Sequence, residues 1–211
     1  MEATQHAHTG YYLSLLEKAW QNTFSAEHWR WYAQLEQEHD NLRAALHWSV
    51  EQEGVRGVET LLLLSLALYQ YWMVSGHVSE GRRWLERALA RSEESVTLGR
   101  ARGLVSAGTL VFLQDDYDQA EALLRQSQIV YLKLADATGA GIALQKLGQV
   151  AVARGNYALA CSLTEEALEY FREAGDKLST FGIPVTPGSE AGDEWLMYLI
   201  AVAQLRQDGV V

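Results

Sequence analysis

The sequence predicts an all-α protein, a solenoid of stacked helical hairpins behind an N-terminal helical bundle, and three observations predict it. The first is an internal repeat. Gly81, Ala120 and Ala160 recur at steps of 39 and 40, and so do Val78, Tyr117 and Tyr157. Downstream, Leu85, Leu124 and Thr164 correspond, followed by Ala88, Ser127 and Ala167. Several columns sharing one period are the mark of a repeat architecture. The second is periodicity within a unit: Tyr157, Ala160, Cys161, Thr164, Ala167, Leu168 and Phe171 fall at helical spacings of three and four. The third is proline. Both prolines, Pro184 and Pro187, fall late, so about 180 residues run without a ring that would remove a backbone donor and break a helix.

Taken in order, residues 8–57 read as a helical bundle or linker. Tyr12, Leu15, Leu16, Ala19 and Trp20 form one stripe of a helix capped by Thr9, and Ser25 caps a second helix from Ala26 to about Gln37. Residues 58–175 hold three hairpins of the 39–40 residue period. The small column (Gly81, Ala120, Ala160) has a steric reason, because paired helices approach to about 8–10 Å and larger side chains would pry them apart. In the third hairpin Gly155-Asn156 supplies the turn and a cap, and Gly175 follows as the residue after the helix. Residues 176–192, with both prolines and Gly182, Gly188 and Gly192, read as a loop. Residues 193–207 read as the first helix of an incomplete fourth hairpin, with Trp195, Tyr198, Leu199, Val202 and Leu205 near one face.

Composition narrows the function classes. Of 211 residues, 48% are hydrophobic and 21% charged, with 7 Trp and 10 Tyr, which is too core-rich for a disordered chain. The formal net charge of −10 would repel a nucleic-acid duplex on average. A single cysteine excludes a disulfide framework within the chain and fits a reducing compartment. Met1 to Gly10 carry no apolar signal-peptide core, and Leu61–Val74 is too short and too polar to span a bilayer. The expectation is a soluble, cytoplasmic protein that needs no cofactor.

The residues of the repeat carry a resemblance. A small residue in the first helix (Gly108, Gly148), an aromatic after the turn (Tyr117, Tyr157), then alanines seven residues apart (Ala160, Ala167) resemble the tetratricopeptide repeat, whose usual period is about 34 residues. Two phrases point further. Leu35-Glu36-Gln37-Glu38-His39-Asp40-Asn41-Leu42-Arg43-Ala44-Ala45-Leu46-His47-Trp48 is similar to the segment that precedes the repeat array in STAND-class signal-transduction ATPases. Gly76-His77-Val78-Ser79-Glu80-Gly81-Arg82-Arg83-Trp84-Leu85-Glu86-Arg87-Ala88-Leu89 resembles the first hairpin of those arrays. The class includes LuxR-type and antibiotic-regulatory bacterial transcription regulators. The resemblance, which covers roughly residues 8–175, implies a right-handed superhelix. It also implies a sensor arm that recognises an inducer, peptide or partner protein and controls a nucleotide-driven switch. No Gly-x-x-x-x-Gly-Lys-Ser/Thr occurs, and Gly139-Ala140-Gly141 lacks the following Lys-Ser/Thr pair. The arm is therefore expected to act on nucleotide-binding and output domains that lie outside this sequence.

Candidate chemistry is sparse. His6-x-His8 has two ligand-type residues but no nearby third ligand, and His39 and His47 are two helical turns, about 12 Å, apart, too far to share a metal. Asp115-Asp116 sits where an aspartate caps the next helix, and Cys161 lies on an apolar helical face as a small core residue. Arg82, Arg83, Arg87, Arg91, Arg100 and Arg102 are interleaved with Glu80, Glu86, Glu93 and Glu94, which cancels most of their field. Catalytic and metal residues are expected to be absent. The functional expectation falls on the first helices of the hairpins, which line the groove of a solenoid. Positions there not required for hairpin packing are Gln70 and Met73, then Arg102, Ser106, Thr109 and Phe112, then Gln145, Lys146 and Gln149. Amides, hydroxyls, two cations and apolar surface suit a polar ligand with an apolar portion, such as a peptide or metabolite inducer. A protein-scaffolding array with a fixed partner is the alternative.

Overall fold

A proline-free run with apolar residues three and four apart has one economical solution, and the described residues take it. The computed structural model describes residues 10–12, 15–16, 28–52, 54–93 and 95–175, and every regular element in them is a helix. In chain order these are α1 (His28–Gln37), α2 (His39–Glu51), α3 (Gly54–Val74) and α4 (Val78–Arg91). They continue with α5 (Leu98–Phe112), α6 (Tyr117–Lys133), α7 (Ala137–Ala153) and α8 (Tyr157–Glu173). Gly10–Tyr12 and Leu15–Leu16 are also helical. The expected caps Thr9 and Ser25, the loop 176–192 and the helix 193–207 lie outside the described residues. The chain divides into two compact units, Met1–Ser95 and Val96–Val211.

In the first unit α3 begins at Gly54, so it extends well ahead of the apolar stretch seen in the sequence. Its window Arg56–Val74 is long and apolar enough, by length and composition, to cross a membrane. Packing already accounts for that apolarity: Leu61, Leu64, Leu68, Tyr71 and Trp72 are fully buried. Arg91, at the end of α4, donates to the carbonyls of Val50 (2.7 Å), Gln52 (2.6 Å) and Ser49 (3.3 Å). These are orphan acceptors at the end of α2, so Arg91 caps one helix from another.

In the second unit the repeat has a direct packing meaning. A core cluster joins its described helices: Val111 on α5, Leu124 on α6, Leu144, Leu147 and Val150 on α7, and Leu163 and Phe171 on α8. The small-residue columns meet one another. A Cβ built on Gly108 would stand 2.9 Å from Leu124 Cγ and 3.4 Å from the Ala120 carbonyl. On Gly148 it would meet Thr164 Oγ1 at 3.3 Å and the Ala160 carbonyl at 3.6 Å. Leu124 and Thr164, and Ala120 and Ala160, are the matched repeat positions.

The inter-helix turns share one design. The residue just before the first helical N-cap is left-handed in each: Gly76 (φ 77°), Asp115 (φ 61°) and Gly155 (φ 72°), again at steps of 39 and 40. Ala135 (φ 54°) does the same between α6 and α7. After α6 and α7 the amide two residues past the C-cap closes onto the carbonyl five residues back, Asp136 to Tyr131 (3.0 Å) and Asn156 to Ala151 (2.8 Å), the Schellman pattern. The next residue caps the following helix: Asp116, Asp136 and Asn156 accept from the amides of Gln119, Gly139 and Leu159. The capping expected of Asp116 and Asn156 is therefore observed. Ala135 is a β-carbon-bearing residue where glycine would be unstrained. Ala135→Gly is expected to raise stability by up to about 1 kcal/mol, read as a higher urea midpoint with an unchanged slope.

Candidate functional site

The residues expected to line a groove sit on α3 in the first unit and on α5 and α7 in the second. Gln70 and Met73 are half-buried on α3. On α5, Arg102 is exposed and Phe112 half-buried, its ring 5.7 Å from that of Tyr117. Ser106 and Thr109 are buried, against the expectation that they are free of packing. The Thr109 hydroxyl donates to the Val105 carbonyl of its own helix (2.9 Å), which satisfies it locally and leaves it little to offer a ligand. The misreading has a simple cause. Short hydroxyls look like surface chemistry in a sequence, yet they fit wherever two helices approach closely.

On α7, the expected trio Gln145, Lys146 and Gln149 is half-buried together. Lys146 Nζ lies 3.4 Å from Gln149 Oε1, and no carboxylate pairs with it among the described residues. Burial holds its ammonium below the ordinary lysine range. A desolvated cation with no counter-charge is unfavourable as it stands. It is also the arrangement a ligand anion would complete.

The first unit contains a polar cluster that the sequence did not reveal. Arg43 on α2 donates to Glu80 on α4 in a fork, Nε to Oε1 at 2.7 Å and Nη2 to Oε2 at 2.6 Å. Trp84 Nε1 donates to Glu80 Oε1 at 3.4 Å, and His39 Nε2 lies 3.2 Å from Oε2. The Arg43 guanidinium holds the Glu80 carboxyl down to about 2, against the opposing effect of burial. Beside it, Tyr71 Oη donates to Glu36 Oε2 at 2.6 Å, and His77 Nε2 is 3.2 Å from the same oxygen. These hydrogen bonds, Tyr71 first, hold the Glu36 carboxyl below its usual range. The partners are 35 to 41 residues apart, so no local pattern could announce them.

An open hollow of about 220 Å³ adjoins this cluster, lined by Arg43, His47, Glu80, Arg83, Trp84 and Arg87. The Arg87 guanidinium stacks 5.2 Å over the Trp84 ring, and the His47 ring meets that indole edge-on at 4.8 Å. The local charge cancellation expected of the basic cluster holds for Arg82, which pairs with Glu86 at 2.8 Å. Trp48, Trp72 and Trp84 are buried, as packing between helices requires, whereas Trp29 is exposed. For Cys161, burial and then the nearby Glu165 carboxylate push the thiol up, away from the thiolate a nucleophile needs.

No protein-family model matches the chain, and no curated protein is similar to it. Among solved structures, the chain is similar to BtubC (BKLC) from P. vanneervenii, with a TM-score of 0.57 and 12% sequence identity. That similarity covers 95% of this chain and 92% of that one. At such identity the likeness concerns the fold alone, and it agrees with an all-α architecture.

Proposed function

We propose that the chain is a tetratricopeptide-type right-handed superhelical array that senses a ligand or partner. On this reading it controls, without catalysis of its own, the switch state of a STAND-class signalling ATPase or transcription regulator. The observation that carries the sensing role is Lys146, a half-buried cation flanked by two amides and lacking a carboxylate partner among the described residues. A carboxylate or phosphate on a bound inducer or peptide would supply the missing charge. Gln145 and Gln149 would take its neighbouring polar groups, and the half-buried Phe112 is a candidate for its apolar part. The repeat phrases Leu35–Trp48 and Gly76–Leu89 support the assignment to the regulator class. Signalling would follow by population shift: a ligand that binds one arrangement of the regulator better by about 1–3 kcal/mol biases it toward that state.

The test is a titration of fluorescein-labelled acidic and basic hexapeptides of matched apolar content. Acidic peptides are expected to bind. Lys146→Met should weaken them at least tenfold, and Gln145→Ala with Gln149→Ala should weaken them with nearly unchanged melting temperature. Equal binding of basic peptides, or acidic binding indifferent to Lys146, would remove the groove from consideration.

A scaffolding role with a fixed protein partner is the second reading, and one observation favours it. Ile129 and Leu132, both large and apolar, are exposed on α6. Native mass spectrometry after incubation with a fractionated host lysate separates the two. An adduct of a few hundred daltons supports the sensor, and a protein-sized one lost in Ile129→Lys/Leu132→Lys supports the scaffold.

A further inference from the structure

We propose that Glu36, His39 and His77 form a binding site for a divalent transition-metal ion of the zinc class, which clips the α1–α2 junction to the turn between α3 and α4. The site is independent of the α7 reading above and lies wholly within the first unit.

The geometry is the first support. One carboxylate oxygen of Glu36 and one ring nitrogen from each histidine all lie within 4.8 Å of one another. Zinc bonds to nitrogen and carboxylate oxygen at about 2.0–2.2 Å, which sets tetrahedral ligand atoms about 3.3 Å apart. The Glu36 Oε2 to His77 Nε2 separation of 3.2 Å already matches that edge. The remaining closure falls on Glu36 and His77, side chains with 55% and 27% exposure and room to turn.

The second support is an unsatisfied atom. His39 is 9% exposed, and its Nε2 is buried with no hydrogen-bond partner among the described residues. Its approach to Glu80 Oε2, 3.2 Å, is ionic in distance but lacks the alignment of a hydrogen bond. Buried polar atoms in native folds are satisfied by protein, water or an ion. A neutral imidazole is the form that can donate a lone pair to a metal.

The surroundings have the character of an outer shell. Tyr71 donates to Glu36 Oε2 at 2.6 Å and would orient the ligating carboxylate. The Arg43–Glu80 fork closes the inner side and leaves Glu80 as a carboxylate beside His39. Two imidazoles and one carboxylate suit zinc, cobalt, nickel or copper, and not the all-oxygen shells of magnesium and calcium. Three protein ligands leave a position for water.

The full chain, stripped with chelator, should be titrated with Zn²⁺ by calorimetry and with Co²⁺ by visible absorption. One equivalent of Zn²⁺ is expected to bind with micromolar or tighter affinity and to raise the melting temperature by several degrees. Co²⁺ should give the intense ligand-field band of a four- or five-coordinate site, and Mg²⁺ should do neither. His77→Ala and Glu36→Gln, both at partly exposed positions, should weaken binding at least tenfold and abolish the band. His39→Ala should do the same, and if it does not fold, the other two variants carry the test. The control is His6→Ala/His8→Ala, which should leave stoichiometry and band intact. If that pair abolishes binding, or if His77→Ala and Glu36→Gln bind Zn²⁺ as the parent does, the site is refuted.

Discussion

Gly139→Ala combined with Gly141→Ala is expected to destabilise the second unit by about 2–4 kcal/mol, although each change alone would favour a helix by about 1 kcal/mol in open surroundings. Both glycines lie in α7 between α6 and α8. A Cβ on Gly139 would fall 2.1 Å from Cδ1 of the Tyr131 ring, with two further ring atoms within 2.6 Å. On Gly141 it would fall 2.5 Å from Cε1 of Phe171. Both rings are buried and have nowhere to retreat without opening the core. The control is Gly148→Ala, where the nearest atom is a threonine hydroxyl at 3.3 Å. That variant should be neutral or slightly stabilised. Urea unfolding followed by helical dichroism reads all three. If the double variant matches or exceeds the parent in stability, the wedge of Tyr131 and Phe171 against α7 is wrong.

Glu80→Gln is expected to cost about 1–3 kcal/mol at pH 7, and the cost should disappear in acid. The substitution keeps the shape and removes the charge that receives the Arg43 fork. Arg43's side chain is 43% exposed, so solvent screening discounts the full value of so large a shift. The sign follows from linkage. The folded carboxyl, at about 2, lies below its ordinary 4.5, so the unfolded chain binds the extra proton between those values. The contribution of Glu80 is thus fully present above pH 4.5 and is lost as pH falls toward 2. His39, whose folded imidazole titrates below its usual value because it is buried, erodes stability in the same direction below pH 6.5. Denaturation midpoints of parent and variant should therefore converge between pH 4.5 and 2. A gap that stays constant over that range would show that Glu80 acts through packing alone.

Much of the fold was legible because a repeat writes its packing into the sequence several times. Gly108 and Gly148 face matched repeat positions, Leu124 with Ala120 and Thr164 with Ala160, and Gly155-Asn156 and Asp116 hold the turn and cap roles that their residue types imply. Of the candidate site, the α7 trio was legible as polar residues on a first helix. The burial that leaves Lys146 without a counter-charge was not, since it depends on how closely neighbouring helices approach. Ser106 and Thr109 went the other way, from expected surface to buried. In the sequence Gly139-Ala140-Gly141 shows only a glycine pair without the Lys-Ser/Thr of a phosphate loop. Its reason lies in two rings contributed by other helices.

The sequence by itself determined the helical class, the hairpin period of the second unit and the chemistry of its turns. Each depends on residues within one or two helical turns of each other, and the repeat confirms each internally. Only the tertiary structure decided the cluster of Glu36, His39, Arg43, Tyr71, His77 and Glu80. Its members come from α1, α2, α3, α4 and the turn before α4, with partners up to 41 residues apart. Side chains meet there because α2 and α4 both pack on α3, and charge, distance and burial at such a meeting are properties of the packed state rather than of any local run of residues.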